Sequence, residues 1–202
     1  ATGADVVMEA AGATHRLHLD LRHRTATASG GLLTQPGTAG NLPSGETYIV
    51  PYEGEREGDP SRTEGTLPIE LDGELLTYRI RGNRVHAVDG DGPVATAERA
   101  EIESEPAYCN VAELGLGLLR GYGIAPVGSL LLDEKLGLHI AFGRSDHFGG
   151  TVGADDFSAP DKVVHIDRVY IPEVQPRVAV RSVDLVGEDG ATDPLIRDGA
   201  YV

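Results

Sequence analysis

A chain of 202 residues is long enough to bury one substantial core, and 32 acidic against 17 basic side chains, a net charge of −15, turn it away from nucleic-acid phosphates and anionic membrane surfaces. With 27 glycines, 12 prolines, 5% aromatic residues and no tryptophan, it reads as many short elements joined by turns: an α+β, strand-rich fold of mixed or antiparallel sheet with few helices. One cysteine, Cys109, rules out an internal disulfide framework, and with no secretory leader or long apolar run the expected setting is cytoplasmic.

Residues 1–34 read as strands. Val6-Val7-Met8 is apolar, and Arg16-Leu17-His18-Leu19-Asp20-Leu21 alternates with a period of two, as a strand with one buried face does. His15, His18 and His23 raise the question of a metal cluster, but His18 shares the polar face with Arg16 and Asp20, where solvated side chains are usual. Gly30-Gly31 and Gln35-Pro36-Gly37-Thr38-Ala39-Gly40 are breakers that lead into Asn41-Leu42-Pro43-Ser44-Gly45-Glu46-Thr47-Tyr48-Ile49-Val50. Pro43 fixes one backbone dihedral, Gly45 opens conformations closed to other residues, and Tyr48-Ile49-Val50 favour a strand. Glu46 therefore stands at a turn-to-strand junction that aims its carboxylate.

From Glu53 to Glu64 the composition is that of a surface loop. Gly65 to Glu70, Leu75 to Ile80 and Arg84 to Val88 then form a three-stranded meander, with Asp72-Gly73 and Gly82-Asn83 as its tight turns and His86 on its surface. Ala95 to Glu105 is the best helix candidate, closed by Pro106. Next, Glu113 is the one carboxylate in an apolar, glycine-punctuated run from Asn110 to Leu118, where an unpaired charge would be costly to bury, so it needs a cation. Between Leu130 and Gly143, Glu134 and His139 lie an odd number of residues apart. A bend at Gly137 would let both converge from one strand while Leu138, Ile140 and Phe142 bury on the other face. His165 and Asp167, at i and i+2 of a strand, make a two-residue metal clip, and Asp184 to Gly187 reads as the last strand and its turn.

Glu46, Glu113, Glu134, His139, His165 and Asp167 together supply four carboxylates and two imidazoles. A structural zinc prefers four Cys and His ligands. This set suits two divalent ions about 3.5–4 Å apart that share a carboxylate and a water, the chemistry of metal-assisted hydrolysis.

The segments Asn41-Leu42-Pro43-Ser44-Gly45-Glu46, Glu113-Leu114-Gly115-Leu116-Gly117, Asp133-Glu134-Lys135-Leu136-Gly137-Leu138-His139-Ile140-Ala141-Phe142-Gly143 and His165-Ile166-Asp167 resemble, in order and approximate spacing, the aminopeptidase T family of thermophilic metallopeptidases. The resemblance spans most of the chain. It implies that the six residues bind two divalent metals (zinc, cobalt or manganese), that N-terminal amino acids are removed from peptides, and that the protein is a cytoplasmic homodimer. It also implies that residues 1–202 are a single domain equivalent to the family's metal-bearing half, without the α/β domain that precedes it there. On this reading Glu113 is the bridging carboxylate. Relatives carry a tyrosine a few residues after the metal histidine, and here that position falls near Asp146, with His147 or Arg144 as the substitute proton donor or oxyanion stabiliser. Two rival readings are a truncated, aminopeptidase-like module that binds a peptide without cutting it, as in peptide natural-product biosynthesis, and an iron-dependent ring-opening dioxygenase, whose single ion would need fewer carboxylates.

Overall fold

The computed structural model describes residues 1–38, 40 and 42–202; Ala39, in the predicted breaker, and Asn41, which opens the glutamate motif, lie outside the described residues. In chain order the elements are β1 (Gly3–Ala10), β2 (Ala13–Asp20), β3 (Thr27–Ser29), β4 (Glu46–Ile49), β5 (Glu64–Leu71), β6 (Glu74–Arg81), β7 (Arg84–Asp89), α1 (Pro93–Ser104), β8 (Val111–Gly117) and a single turn, α2 (Leu130–Asp133). They continue with β9 (Leu138–Gly143), β10 (His165–Val169), β11 (Val178–Val186), β12 (Thr192–Arg197) and β13 (Ala200–Tyr201). Among the described residues, all strand pairings are antiparallel. An eight-stranded sheet runs β13-β12-β11-β1-β2-β5-β6-β7, and a five-stranded sheet runs β10-β9-β8-β4-β3. The strand-rich fold with few helices is the one expected.

Local chemistry explains the meander. Asp72 and Gly73 (φ 44° and 81°) and Gly82 and Asn83 (φ 58° and 65°) put both central residues of each turn at positive φ, the geometry whose twist matches a two-residue hairpin. Asn83 is buried, and its amide Nδ2 donates to Asn110 Oδ1 (3.0 Å) and to the Val111 carbonyl (2.8 Å), which ties the second turn to the start of β8. The first turn of α1 opens on Pro93, and the Glu74 carboxylate accepts from the free amides of Val94 (3.2 Å) and Ala95 (3.4 Å).

The core lies between the sheets. Leu17, Leu19, Leu67, Ile69, Leu76 and Ile80 of the larger sheet are packed in one cluster with Leu114, Leu116, Leu138, Ile140 and Phe142 of the smaller. Because side chains alternate along a strand, β8 and β9 then turn Glu113 and His139 to the opposite face. Burial inside one sheet-to-sheet core thus decides where the polar constellation sits.

Three expectations are corrected here. Glu134 and His139 do not share a bent strand: Glu134 opens a single 3₁₀ turn (Glu134–Leu136) that follows α2, and only His139 lies on β9. Asp184 to Val186 is not the last strand, since β12 and β13 extend the sheet beyond it. Asp20 is not solvated. It is 1% exposed, with Arg22 Nε and Nη2 donating to its carboxylate at 2.9 and 2.7 Å and the Arg62 amide at 2.9 Å. His18, on the same strand, pairs with Asp5 at 2.7 Å. No helix among the described residues is long and apolar enough to cross a membrane.

Candidate metal centre

β8 carries the pattern that makes room for the site. Its core face is Leu114 and Leu116; its other face is Glu113, Gly115 and Gly117. Across the sheet, Gly117 pairs with Glu46 and Gly115 with Tyr48 on β4, while on β9 Gly115 pairs with His139 and Glu113 with Ala141. Ala141 pairs in turn with Asp167, and Gly143 with His165, on β10. Donors therefore stand beside glycine or alanine. A Cβ at Gly115 would fall 1.8 Å from His139 Nε2, and one at Gly117 would fall 2.1 Å from the Lys135 carbonyl carbon. The Leu-Gly repeat is thus one device with two faces, leucine for the core and glycine for the imidazole and the Glu134–Leu136 turn.

Within this space Glu113, 3% exposed, is central. Its Oε1 lies 3.2 Å from His139 Nε2 and its Oε2 3.0 Å from His165 Nε2. His139 Nε2 is also 3.7 Å from Glu46 Oε2, and His165 Nε2 is 3.5 Å from Asp167 Oδ1. Two sets of donor atoms result, each within 4.8 Å of one another: Glu46, Glu113 and His139, and Glu113, His165 and Asp167. Glu113 belongs to both.

The electrostatics favour a cation. Each histidine faces acceptors on both sides, His165 with Nδ1 2.7 Å from the Arg144 carbonyl oxygen and His139 with Nδ1 3.3 Å from that of Gly137. Burial alone would lower the pKa of both rings. Asp167 and Glu113 more than offset it for His165, raising it to about 10, and Glu113 does so for His139. Burial likewise acts to raise the pKa of Glu113, and hydrogen bonds from the two histidines hold it below the usual range. Glu46 Oε2 is buried with no hydrogen-bond partner. An ion at each set would take the place of the extra protons on the rings and satisfy that oxygen, with each Nδ1 held by a carbonyl as metal-bound histidines require.

The remaining sequence-predicted residues stand around these sets. Glu134 belongs to neither; it accepts from Lys135 Nζ, and the Asp167 carboxylate acts on it. Burial and the Asp167 carboxylate raise its pKa to about 7, while Asp167, held down by His165 and Glu134 against its own burial, falls to about 2. His147 lies in a one-turn 3₁₀ segment (Asp146–Phe148), its ring 5.2 Å from that of His165. Burial and then His165 lower its pKa, so it is neutral near pH 7. Asp146 accepts from Arg144 Nε at 2.5 Å. His15, His18, His23 and His86 take part in neither donor set.

Sequence reasoning missed three participants. Lys135, 1% exposed, donates through Nζ to Glu46 Oε1 at 2.6 Å and to Glu134; its signal was a lysine in a run of leucines. Tyr48 follows Glu46 by two residues and so shares its face, and its ring lies 4.5 Å from that of Phe148. Glu53 anchors the His147 segment, accepting from Asn110 Nδ2 (2.8 Å), Ser145 Oγ (2.5 Å) and the Thr151 amide (2.6 Å). Nothing local marks Glu53.

No protein-family model matches the chain, and no curated protein matches it. Solved structures do. Wild-type AmpT from Thermus thermophilus superposes with a TM-score of 0.61 at 20% identity, covering 98% of this chain and 49% of that one. The 2,5-dihydroxypyridine dioxygenase from Pseudomonas putida KT2440 does so with a TM-score of 0.63 at 17% identity, covering 98% of this chain and 55% of that one. The chain spans about half the length of these two structures, and at such identities the likeness is one of fold.

Proposed function

We propose that this protein is a metal-dependent aminopeptidase that removes N-terminal residues from peptides with two divalent ions, zinc, cobalt or manganese. The observation that carries the reading is Glu113, whose two carboxylate oxygens face two separate donor sets. The fold shared with AmpT supports it. When bound, such a pair of ions lowers the pKa of a shared water to near 7 and polarises a peptide carbonyl.

The chain's own residues supply the rest. Glu46 and His139 on one side, and His165 and Asp167 on the other, would hold the ions through side chains fixed on paired strands. His147, neutral near pH 7, can accept a proton at a ring nitrogen and return it to the leaving amine. Tyr48 and Phe148 present an aromatic wall that takes the side chain of the substrate's first residue and limits water at the site.

One observation favours a second reading. Lys135 already occupies Glu46, which leaves Glu113, His165 and Asp167 as the set without an internal cation, and a single ion held there would suit an oxygenase like the dioxygenase that shares the fold. Turnover of aminoacyl-p-nitroanilides by wild type and Glu113→Ala, with and without added divalent metal, separates the readings. Metal-dependent hydrolysis lost in the variant supports the peptidase. Iron-dependent oxygen consumption on a dihydroxylated aromatic ring, without amide hydrolysis, supports the oxygenase, and peptide binding without either reaction supports a binding module.

A further inference from the structure

Lys135 is delivered to the centre by a turn packed against the smaller sheet. The turn that carries it packs its next residue, Leu136, against Val169 and Ile171, and its backbone fills the space that a side chain at position 117 would need. Just before it, the buried Asp133 carboxylate accepts from the amides of Val127 (2.8 Å) and Gly128 (2.9 Å), which fixes the entry to the turn. The ammonium reaches Glu46 Oε1 and Glu134 and makes no hydrogen bond to Glu113, His165 or Asp167.

We propose that Lys135 is a built-in counter-ion that makes the two cation positions unequal: tight at Glu113, His165 and Asp167, weaker at Glu46, Glu113 and His139. The proposal rests on the metal-centre reading above and specifies how that centre fills. With the ligand carboxylates of Glu46, Glu113 and Asp167 ionised and the histidines neutral, as ligation requires, and with Glu134 ionised against the ammonium it bonds, the four carboxylates contribute four negative charges and Lys135 removes one. One divalent ion then leaves the cluster one charge negative; a second makes it one charge positive. The position that contains Glu46 must also share that carboxylate with an ammonium 2.6 Å from its other oxygen and feel its repulsion in a poorly screened interior. The remaining oxygen, Oε2, has no donor of its own, so this second position is still built to receive an ion. Lys135 has a complementary role when no metal is present. It pairs two buried glutamates that would otherwise face each other's charge.

The test is calorimetric titration of Mn²⁺ into the metal-free wild type, Lys135→Met and Glu46→Gln, alongside thermal unfolding of each metal-free form. Wild type should bind in two steps, the second at least about tenfold weaker than the first. Lys135→Met, similar in length and uncharged, should bring the second step to within a few-fold of the first, melt lower than wild type without metal and recover when loaded. Glu46→Gln should keep the tight step and lose the weak one, which assigns the weak step to the position beside Lys135; retention of both steps, or loss of the tight one, would overturn the proposal even if Lys135→Met does not fold. Equal affinities in wild type, or unchanged spacing of the steps in Lys135→Met, would overturn the counter-ion role while leaving the metal centre standing. A wild type that takes up no Mn²⁺ would remove both.

Discussion

Replacing Gly115 by alanine adds one methyl group whose carbon would lie 1.8 Å from His139 Nε2, 2.3 Å from Cε1 and 2.4 Å from Cδ2. The ring cannot yield easily, because His139 is 1% exposed. Either β8 and β9 separate or the imidazole leaves its place against Glu113. Overpacking of this kind costs about 1–3 kcal/mol, and stranding a buried polar partner adds a similar amount, so the loss is about 2–6 kcal/mol. For a chain of this size that lowers the melting temperature by roughly 5–20 °C. Displacing His139 also removes a donor from the Glu46 set while leaving Glu113, His165 and Asp167 in place. Scanning calorimetry with and without Mn²⁺ should therefore show a destabilised variant that retains the stronger ion step. Gly121→Ala is the control, since nothing lies within 4 Å of its added carbon. If Gly115→Ala melts with the wild type and binds both ions, the account of the glycines as spacers for the imidazole is wrong.

Three of the centre's buried groups, those shifted furthest, should contribute most to the pH dependence of the metal-free protein's stability. The His165 pKa is raised to about 10, so its contribution is complete below about pH 6.5 and is lost as pH climbs through 10; that of Glu134, raised to about 7, is complete below about pH 4.5 and lost as pH passes 7. Asp167, lowered to about 2, contributes fully above about pH 4 and loses its effect as pH falls towards 2. Together these groups favour a maximum near pH 4–5 in chelator, and divalent metal, by displacing protons, should move it upward; unfolding measured across pH in both conditions checks this. Asn83→Ala loses two hydrogen bonds from a buried amide and must hold φ near 65°, so urea unfolding should report a loss of about 2–4 kcal/mol, with Asn83→Gly milder because glycine accepts that dihedral. Glu53→Ala removes the acceptor shared by Asn110 Nδ2, Ser145 Oγ and the Thr151 amide, leaving Asn110 only its bond to the Gly143 carbonyl, and hydrogen exchange across residues 144–151 should quicken while metal content stays at the wild-type level.

What could be read from the sequence was local. The alternation through Leu17 and Leu19, the Asp72-Gly73 and Gly82-Asn83 turns, and the helix before Pro106 each depend on neighbours a few residues away, and each has its counterpart in the structure. The spacing of His165 and Asp167 is likewise a property of one strand. Glu134 was misplaced because a short apolar run such as Leu130-Leu131-Leu132 has no period that separates a strand from a helical turn. The tail was cut short because β12 contains Pro194 and few apolar residues, a composition that resembles a loop; Pro194 is tolerated because β13 pairs only with Ile196 and Arg197 and leaves the other side of Pro194 without a ladder. Lys135 and Glu53 were invisible for a different reason. Their partners Glu46 and Ser145 lie 89 and 92 residues away, and they meet only after the five-stranded sheet has assembled.

Anomalous diffraction from crystals grown with Mn²⁺, recorded above and below the manganese edge, tests the central claim most directly. The account predicts two peaks on either side of the Glu113 carboxylate, one also ligated by His165 and Asp167 and the other, of lower occupancy at limiting metal, by Glu46 and His139. Manganese bound elsewhere, or no peak within ligand distance of Glu113, would contradict it.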